Sequence, residues 1–416
     1  MNRRPGQRPP RPSKGLGPAV RLGVSHLLPP ALTAAAVLAA GPVAVAADGA
    51  PTVKLPVMNA VLADDAECTK QSTAKASAMP WEHQSVELPR AARISQGSGV
   101  KVGVVDTGVS AQAPTLAGRV EAVGDGGDDC VGHGTFVAGL IAAAPTGGVA
   151  FHGVAPRATI VATRATTPHG TPSPSAVATG IRAAVDAGAR VVEVSAAFES
   201  KSSVLRDAVA HAAKHDALIV AAAVPDPPKN AAPDATPVPR DYWPAAYPGV
   251  LSVLDLDVQG VRKDDALLPV NADLAAPGDG VVGIGPRGGG HFVGSGASLA
   301  AGYAAGAAAL VRSAFPGMSA AQVARRLIST AYPDYVPRLD AYAAVASAAD
   351  GGTKEAGATT GAHERAVRMP DHTQGERATR TAVLVAAAGL ALLLLVGWAA
   401  VAVPRGRARG WRPPRR

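Results

Sequence analysis

Apolar residues recur with two periods that alternate along the middle of the chain. The runs VKVGVVD (100–106), ATIVATRA (158–165), RVVEVSA (190–196), LIVAAAV (218–224) and GVLSVLDLD (249–257) are short and nearly continuous. That is the pattern of strands buried on both faces. Between and after them lie HGTFVAGLIAAA (133–144), PSAVATGIRAAVDAGA (174–189), SSVLRDAVAHAAKHDA (202–217), ASLAAGYAAGAAALVRSAF (297–315) and SAAQVARRLISTA (319–331), which read as helices. Strands alternating with helices predict an α/β fold, a mostly parallel sheet with helices on both faces. Sites in such sheets form at the carboxyl ends of strands.

The two ends depart from this pattern. The first 21 residues carry six basic residues and no acid, and an apolar stretch from about Leu27 to Ala47 ends in AVAA. This predicts a signal peptide over 1–46, with an uncleaved anchor as the alternative. Residues 381–403 contain no charge and are long enough to cross a bilayer, with a buried core helix as the alternative. Six arginines follow over 404–416, which places the C-terminus in the cytoplasm and the rest of the mature chain outside the cell membrane. The segment 47–80 is an N-terminal extension, 81–346 the main domain, and the polar, charged 347–380 a flexible stalk.

These ends change the meaning of the net charge of +8. They hold 12 of the 40 Lys and Arg, leaving 28 basic residues against 32 acidic ones. The basic excess therefore reports topology, and no nucleic-acid partner is expected. Hydrophobic residues make up 47% of the chain but aromatics only 4%, so alanine forms much of the core. Cys68 and Cys130 are the sole cysteines. In an exported protein they invite one disulfide, against the alternative of two free thiols. No metal-ligand spacing stands out, and neither a catalytic metal nor a cofactor is expected.

Three polar residues lie where chemistry is possible. Asp106 ends the first strand in VGVVDTGV, His133 opens a helix in GHGTFVAGL, and Ser298 starts the alanine-rich helix in GSGASLAAGY. A serine at a helix N-terminus is most often a cap, but its hydroxyl also faces the positive end of the helix dipole. Ser295 competes with it. Acyl transfer requires a hydroxyl, a histidine to take its proton and a carboxylate to orient that histidine. The order Asp, His, Ser is that of subtilisin.

With these motifs in place, the chain resembles the subtilisin-like serine proteases over about residues 80–346. GVAPRATIVATRA, VVEVS, LIVAAA, YPGVLSV and LAAPGDGV agree between the motifs. PWEHQSVELPRAARI, the cysteine of GDDCVGHGT and the two ends narrow the resemblance to the mycosins, membrane-anchored subtilases associated with type VII secretion in actinobacteria. The resemblance implies a three-layer subtilisin-like fold and an Asp106–His133–Ser298 triad, with Ser295 a loop residue. It also implies a Cys68–Cys130 bond pinning the extension beside the cleft, and substrate pairing along Ser195, Ala196 and Ala197. The expected partners are a protein or peptide substrate, the membrane, and membrane proteins of a secretion complex.

The sequence also departs from the family. Ala297 replaces the usual threonine before the serine, and Gly302 a common proline. Ala197 stands where the family has glycine, which should narrow or reshape the cleft, and Glu193 where asparagine is common. After LIVAAA the usual Gly-Asn, whose amide donates to the oxyanion, is Val224-Pro225. Pro225 has no donor. Asp226 would repel an oxyanion, and Asn230 would need an unusual loop path. Three functions follow: an exported serine endopeptidase, a weakened or inactive subtilase serving as a structural part of a secretion complex, or a generic exported peptide-binding module, against which the retained triad argues.

Overall fold

The computed structural model describes residues 53–226, 237–263, 265–348 and 373–410. The expected signal peptide, residues 349–372 of the expected stalk, Asn230 and the last six residues lie outside the described residues. Two compact units divide between Ser347 and Ala348.

The first unit is built on strands β1 (Lys101–Asp106), β2 (Val120–Val123), β3 (Thr159–Arg164), β4 (Val191–Val194), β5 (Leu218–Ala222), β6 (Leu251–Leu256) and β7 (Leu274–Pro277). They form one sheet in the order β2-β3-β1-β4-β5-β6-β7. Every pairing is parallel. Strands β8 (Asp279–Ile284) and β9 (His291–Ser295) form a separate antiparallel pair. The helices are α1 (Trp81–Ser85), α2 (Leu88–Ala91), α3 (His133–Ala142), α4 (Pro174–Asp186), α5 (Ser203–Lys214), α6 (Ala297–Ala314), α7 (Ala320–Ser329) and α8 (Ala341–Ala346).

Period-two alternation sorts the strand residues between two apolar layers. Val102, Val104, Val191, Val220 and Val253 face α3 and α6, while Val105, Val192, Val194 and Ile219 face α4 and α5. Residues 297–312 of α6 are all buried. Its alanines and glycines let the backbone lie close to the sheet, and Leu299, Leu310 and Val311 each contribute about 1.5–3 kcal/mol by burial. The chain leaves β1 toward β2 and β3 on one side and runs β4 to β7 on the other. The crevice between β1 and β4 is thus the switch point where such folds build sites.

The ten segments expected as strands and helices all form, most of them trimmed by a few residues. Ser295 closes β9 and is not a loop residue; its hydroxyl donates to Asp279 Oδ1 at 2.5 Å. The segment before α1 is tied down along its length. Met58 N–H donates to the Val293 carbonyl (2.8 Å), Val293 N–H to that of Pro56 (2.9 Å) and Thr69 N–H to that of Cys130 (2.9 Å). Cys68 is bonded to Cys130 with Cα atoms 4.6 Å apart. The second unit contains α9 (Thr373–Ala408), of which Ala387–Ala408 is long and apolar enough to cross a membrane, with a mean hydropathy of 2.2.

Candidate active site

Asp106 is delivered by the end of β1, His133 by the first residue of α3 and Ser298 by the second residue of α6. The two helix starts reach the strand end because nothing intervenes. A Cβ on Gly134 would lie 2.1 Å from the Gly108 carbonyl oxygen, so only glycine allows α3 to begin this close to β1. His133 Nδ1 lies 2.8 and 3.0 Å from the Asp106 carboxylate oxygens, and His133 Nε2 lies 3.1 Å from Ser298 Oγ. All three residues are buried, at 4%, 5% and 0% exposure respectively.

Surrounding groups fix this relay. Thr107 N–H donates to Asp106 at 2.5 Å. The Asp129 carboxylate accepts from Thr107 Oγ1 (2.9 Å), Gly132 N–H (2.7 Å), Thr135 N–H (2.9 Å) and Thr135 Oγ1 (2.6 Å). Asp129 therefore ties the segment after Asp106 to the start of the His133 helix. Its neighbour Cys130 drew attention in the sequence, and Asp129 itself gave no signal.

Two further acids stand at the site. Ser195 follows β4, and its hydroxyl donates to Asp106. The Glu193 carboxyl lies 2.9 Å from the same hydroxyl. One O–H carries one proton, so Glu193 must supply the second. Burial, reinforced by the charge of Asp106, pushes the Glu193 carboxyl well above its ordinary range, so its acid form is present to donate. Glu193, which had no account in the sequence, is thus a protonated neighbour steadying Ser195.

The second acid is Asp226, four residues after β5. Asp226 Oδ1 accepts from Ser298 N–H at 3.0 Å, and Oδ2 accepts from Ser298 Oγ at 2.6 Å. Oδ2 also lies 3.3 Å from His133 Nε2. The sequence assigned the position facing the oxyanion to Pro225 and set Asp226 aside as repulsive. Pro225 does line the cleft, but the chain turns so that the next side chain reaches Ser298.

The electrostatics follow from this crowd of acids. Burial would push Asp106 up, but the His133 charge and the bonds from His133, Ser195 and Thr107 hold it below the usual carboxylate range. Burial would push His133 down, but Asp106 and then Asp226 outweigh it and hold the imidazole well above its ordinary value. The acids around it thus favour the protonated form of His133.

The cleft beside these groups has a volume of about 190 Å³ and is lined by Ser195, Ala196, Ala197, Pro225 and Asp226 on one side. Ala60, Val61 and Gly170 line it as well, so the N-terminal segment borders the cleft. The expected substrate residues are therefore at the cleft wall, with the Ser195 side chain turned toward Asp106. Elsewhere, Asp186, His211 and His215 bring ligand-type atoms within 4.8 Å of one another. An Asp186–His211 pair at 2.7 Å accounts for most of this grouping.

The profile of the Subtilase family, Peptidase S8, matches residues 97–376. Mycosin-4 of Mycobacterium tuberculosis is 34% identical over 79% of this chain and 82% of its own length. Thermitase of Thermoactinomyces vulgaris is 33% identical over 61% of this chain and 89% of its own. Among solved structures, the MycP3 protease from the type VII (ESX-3) secretion system superposes with a TM-score of 0.59. It is 29% identical, covering 72% of this chain and 98% of that one. MycP1 with its N-terminal propeptide removed gives 0.57 at 28% identity, covering 66% and 99%.

Proposed function

The chain belongs to the Subtilase family, and on that premise we propose that it is an exported, membrane-anchored serine endopeptidase working with a type VII secretion system. The observation that carries the reading is the continuous relay from Asp106 through His133 to Ser298, with contacts of 2.8 and 3.1 Å. In this reading Ser298 Oγ attacks the peptide carbonyl and His133 Nε2 takes its proton. Asp106 holds the Nδ1 tautomer and offsets the imidazolium charge. The Ser298 N–H, at the N-terminus of α6, is one oxyanion donor. Likeness to Mycosin-4 and to MycP3 supports the secretion context. The apolar span of α9 followed by arginines supports a single anchor with the C-terminus in the cytoplasm and the cleft outside.

A fluorophosphonate should label the full-length, disulfide-bonded chain at Ser298, and Ser298→Ala should abolish the label. Folded protein that stays unlabelled overturns the reading.

The contact of Asp226 with the Ser298 hydroxyl favours a second reading, a scaffold whose nucleophile is capped. In that case a Ser298→Ala strain secretes normally while deletion of the gene stops secretion. Loss of secretion in the Ser298→Ala strain at normal protein level excludes the scaffold.

A further inference from the structure

If Ser298 is the nucleophile, as the reading above holds, a negative oxygen develops beside its N–H during acyl transfer. In the structure that N–H already has an acceptor, Asp226 Oδ1 at 3.0 Å. The carboxyl is seated closely: a Cβ on Gly296 would come within 2.1 Å of Oδ1, so the approach depends on a residue without a side chain. The groups that face Asp226 are His133 from α3, Ser298 from α6 and, at longer range, Glu193 from β4. No lysine or arginine lines the cleft among the described residues. Among the described residues, the one cationic proton donor within reach of Asp226 is His133 Nε2, at 3.3 Å.

We propose that Asp226 is a catalytic residue of this chain: as a carboxylic acid it donates to the oxyanion in place of an amide, and it receives its proton from His133. The resting site holds one mobile proton, on the imidazolium between Asp106 and Asp226. A carbonyl oxygen entering the site displaces the carboxylate from the Ser298 N–H, and the proton passes from His133 Nε2 to Asp226 Oδ2. The imidazole is now neutral and can act as a base. Ser298 Oγ attacks the carbonyl carbon, the O–C bond forms, the C=O π pair becomes the oxyanion, and the Oγ proton moves to Nε2. The oxyanion accepts from Ser298 N–H and from the Asp226 O–H. On collapse the C–N bond breaks and Nε2 gives its proton to the leaving nitrogen, so no proton is gained or lost. Water then attacks the acyl group by the same steps. A neutral carboxylic acid donating to an oxyanion is known chemistry, whereas an ionised one would add like charge.

The test is the rate at which a fluorophosphonate labels the full-length chain from acid to alkaline pH. Wild type, Asp226→Asn, Asp226→Ala and Ser298→Ala are compared. Wild-type labelling should fall on the alkaline side, where the mobile proton is lost. Asp226→Asn carries a donor that cannot ionise, so its rate should rise with pH to a plateau and exceed wild type there. Asp226→Ala should label roughly 10²–10³-fold slower than wild type at the wild-type optimum. An alanine variant as fast as wild type, or an alkaline fall that persists in Asp226→Asn, overturns the role of Asp226 and leaves the protease reading intact. Absence of Ser298 labelling in every chain, with native circular dichroism, overturns both. Should Asp226→Ala fail to fold, the near-isosteric Asp226→Asn profile decides the matter alone.

Discussion

Glu82 and His83 are neighbours in α1, both buried, and their protons move in opposite senses on folding. Burial pushes Glu82 up to about 7, although Val282 N–H donates to its carboxylate at 2.7 Å. Burial, with the charge of His152 adding to it, pushes His83 down to about 3. A carboxyl raised from 4.5 to about 7 stabilises the fold below pH 4.5, and that contribution is lost as pH rises to 7. An imidazole lowered from 6.5 to about 3 stabilises it above pH 6.5, and that contribution is lost as pH falls to 3. Across the shared window the two largely cancel. Glu82→Gln removes one side of the balance. Its stability in urea titrations, relative to wild type, should increase by roughly 3 kcal/mol between pH 4.5 and 7. A constant difference across that range would show that Glu82 is ionised in the fold. Legibility at this scale depends on how local each role is. Asp106, His133 and Ser298 sit in short glycine-flanked motifs that state their own conformation. The places of Asp226, Glu193 and Asp129 depend on loop paths and on which sheet face a residue meets. Position 193 shares a face with Val191, toward α6, but only the folded sheet brings Ser195 and Asp106 beside it.

Among the elements, the strands that could be read from sequence are those buried on both faces, such as β1 and β5. The edge strand β2 could not, because Glu121 and Ala122 are exposed and its apolar signal is two residues, Val120 and Val123. The pair β8–β9 is broken up by Gly280, Gly283 and Gly294, which weaken a strand pattern. The residues before α1 have no periodicity, and they order through backbone bonds to β9 and through Cys68. The disulfide closes a separation of 62 residues. Loop-closure entropy for that length is worth about 4 kcal/mol, acting on the unfolded chain. The Cys68→Ser, Cys130→Ser double variant should therefore unfold at lower denaturant by up to that amount. Hydrogen exchange should also speed up at Met58 and Thr69, whose N–H groups bond to Val293 and Cys130, before it changes in β1 or β4. Equal acceleration throughout the sheet would mean that the bond supports the core itself.

At the scale of the whole molecule, composition alone misleads: the net charge of +8 belongs to the ends, and the chain between them is slightly acidic. The charge-free run 381–403 marks an apolar span, but α9 extends from Thr373 to Ala408 because charged residues do not stop a helix. Within it Leu392, Leu393, Leu394 and Leu395 are 64–67% exposed. The 22 residues of the span measure about 33 Å as a helix, close to the ~30 Å of a bilayer core. Hydrocarbon would cover those leucines. Two modes of attachment predict different behaviour. Arginines held by anionic headgroups release in high salt, because surface charges are screened within about 10 Å at 0.1 M. A spanning helix does not release. The full-length protein should stay with the membrane fraction through high-salt and alkaline carbonate washes. A chain ending at Ser347 should be soluble and should react with fluorophosphonate at the full-length rate. Release of the full-length chain by salt would reduce α9 to a surface attachment. Loss of labelling in the truncated chain would mean that the second unit contributes to the cleft.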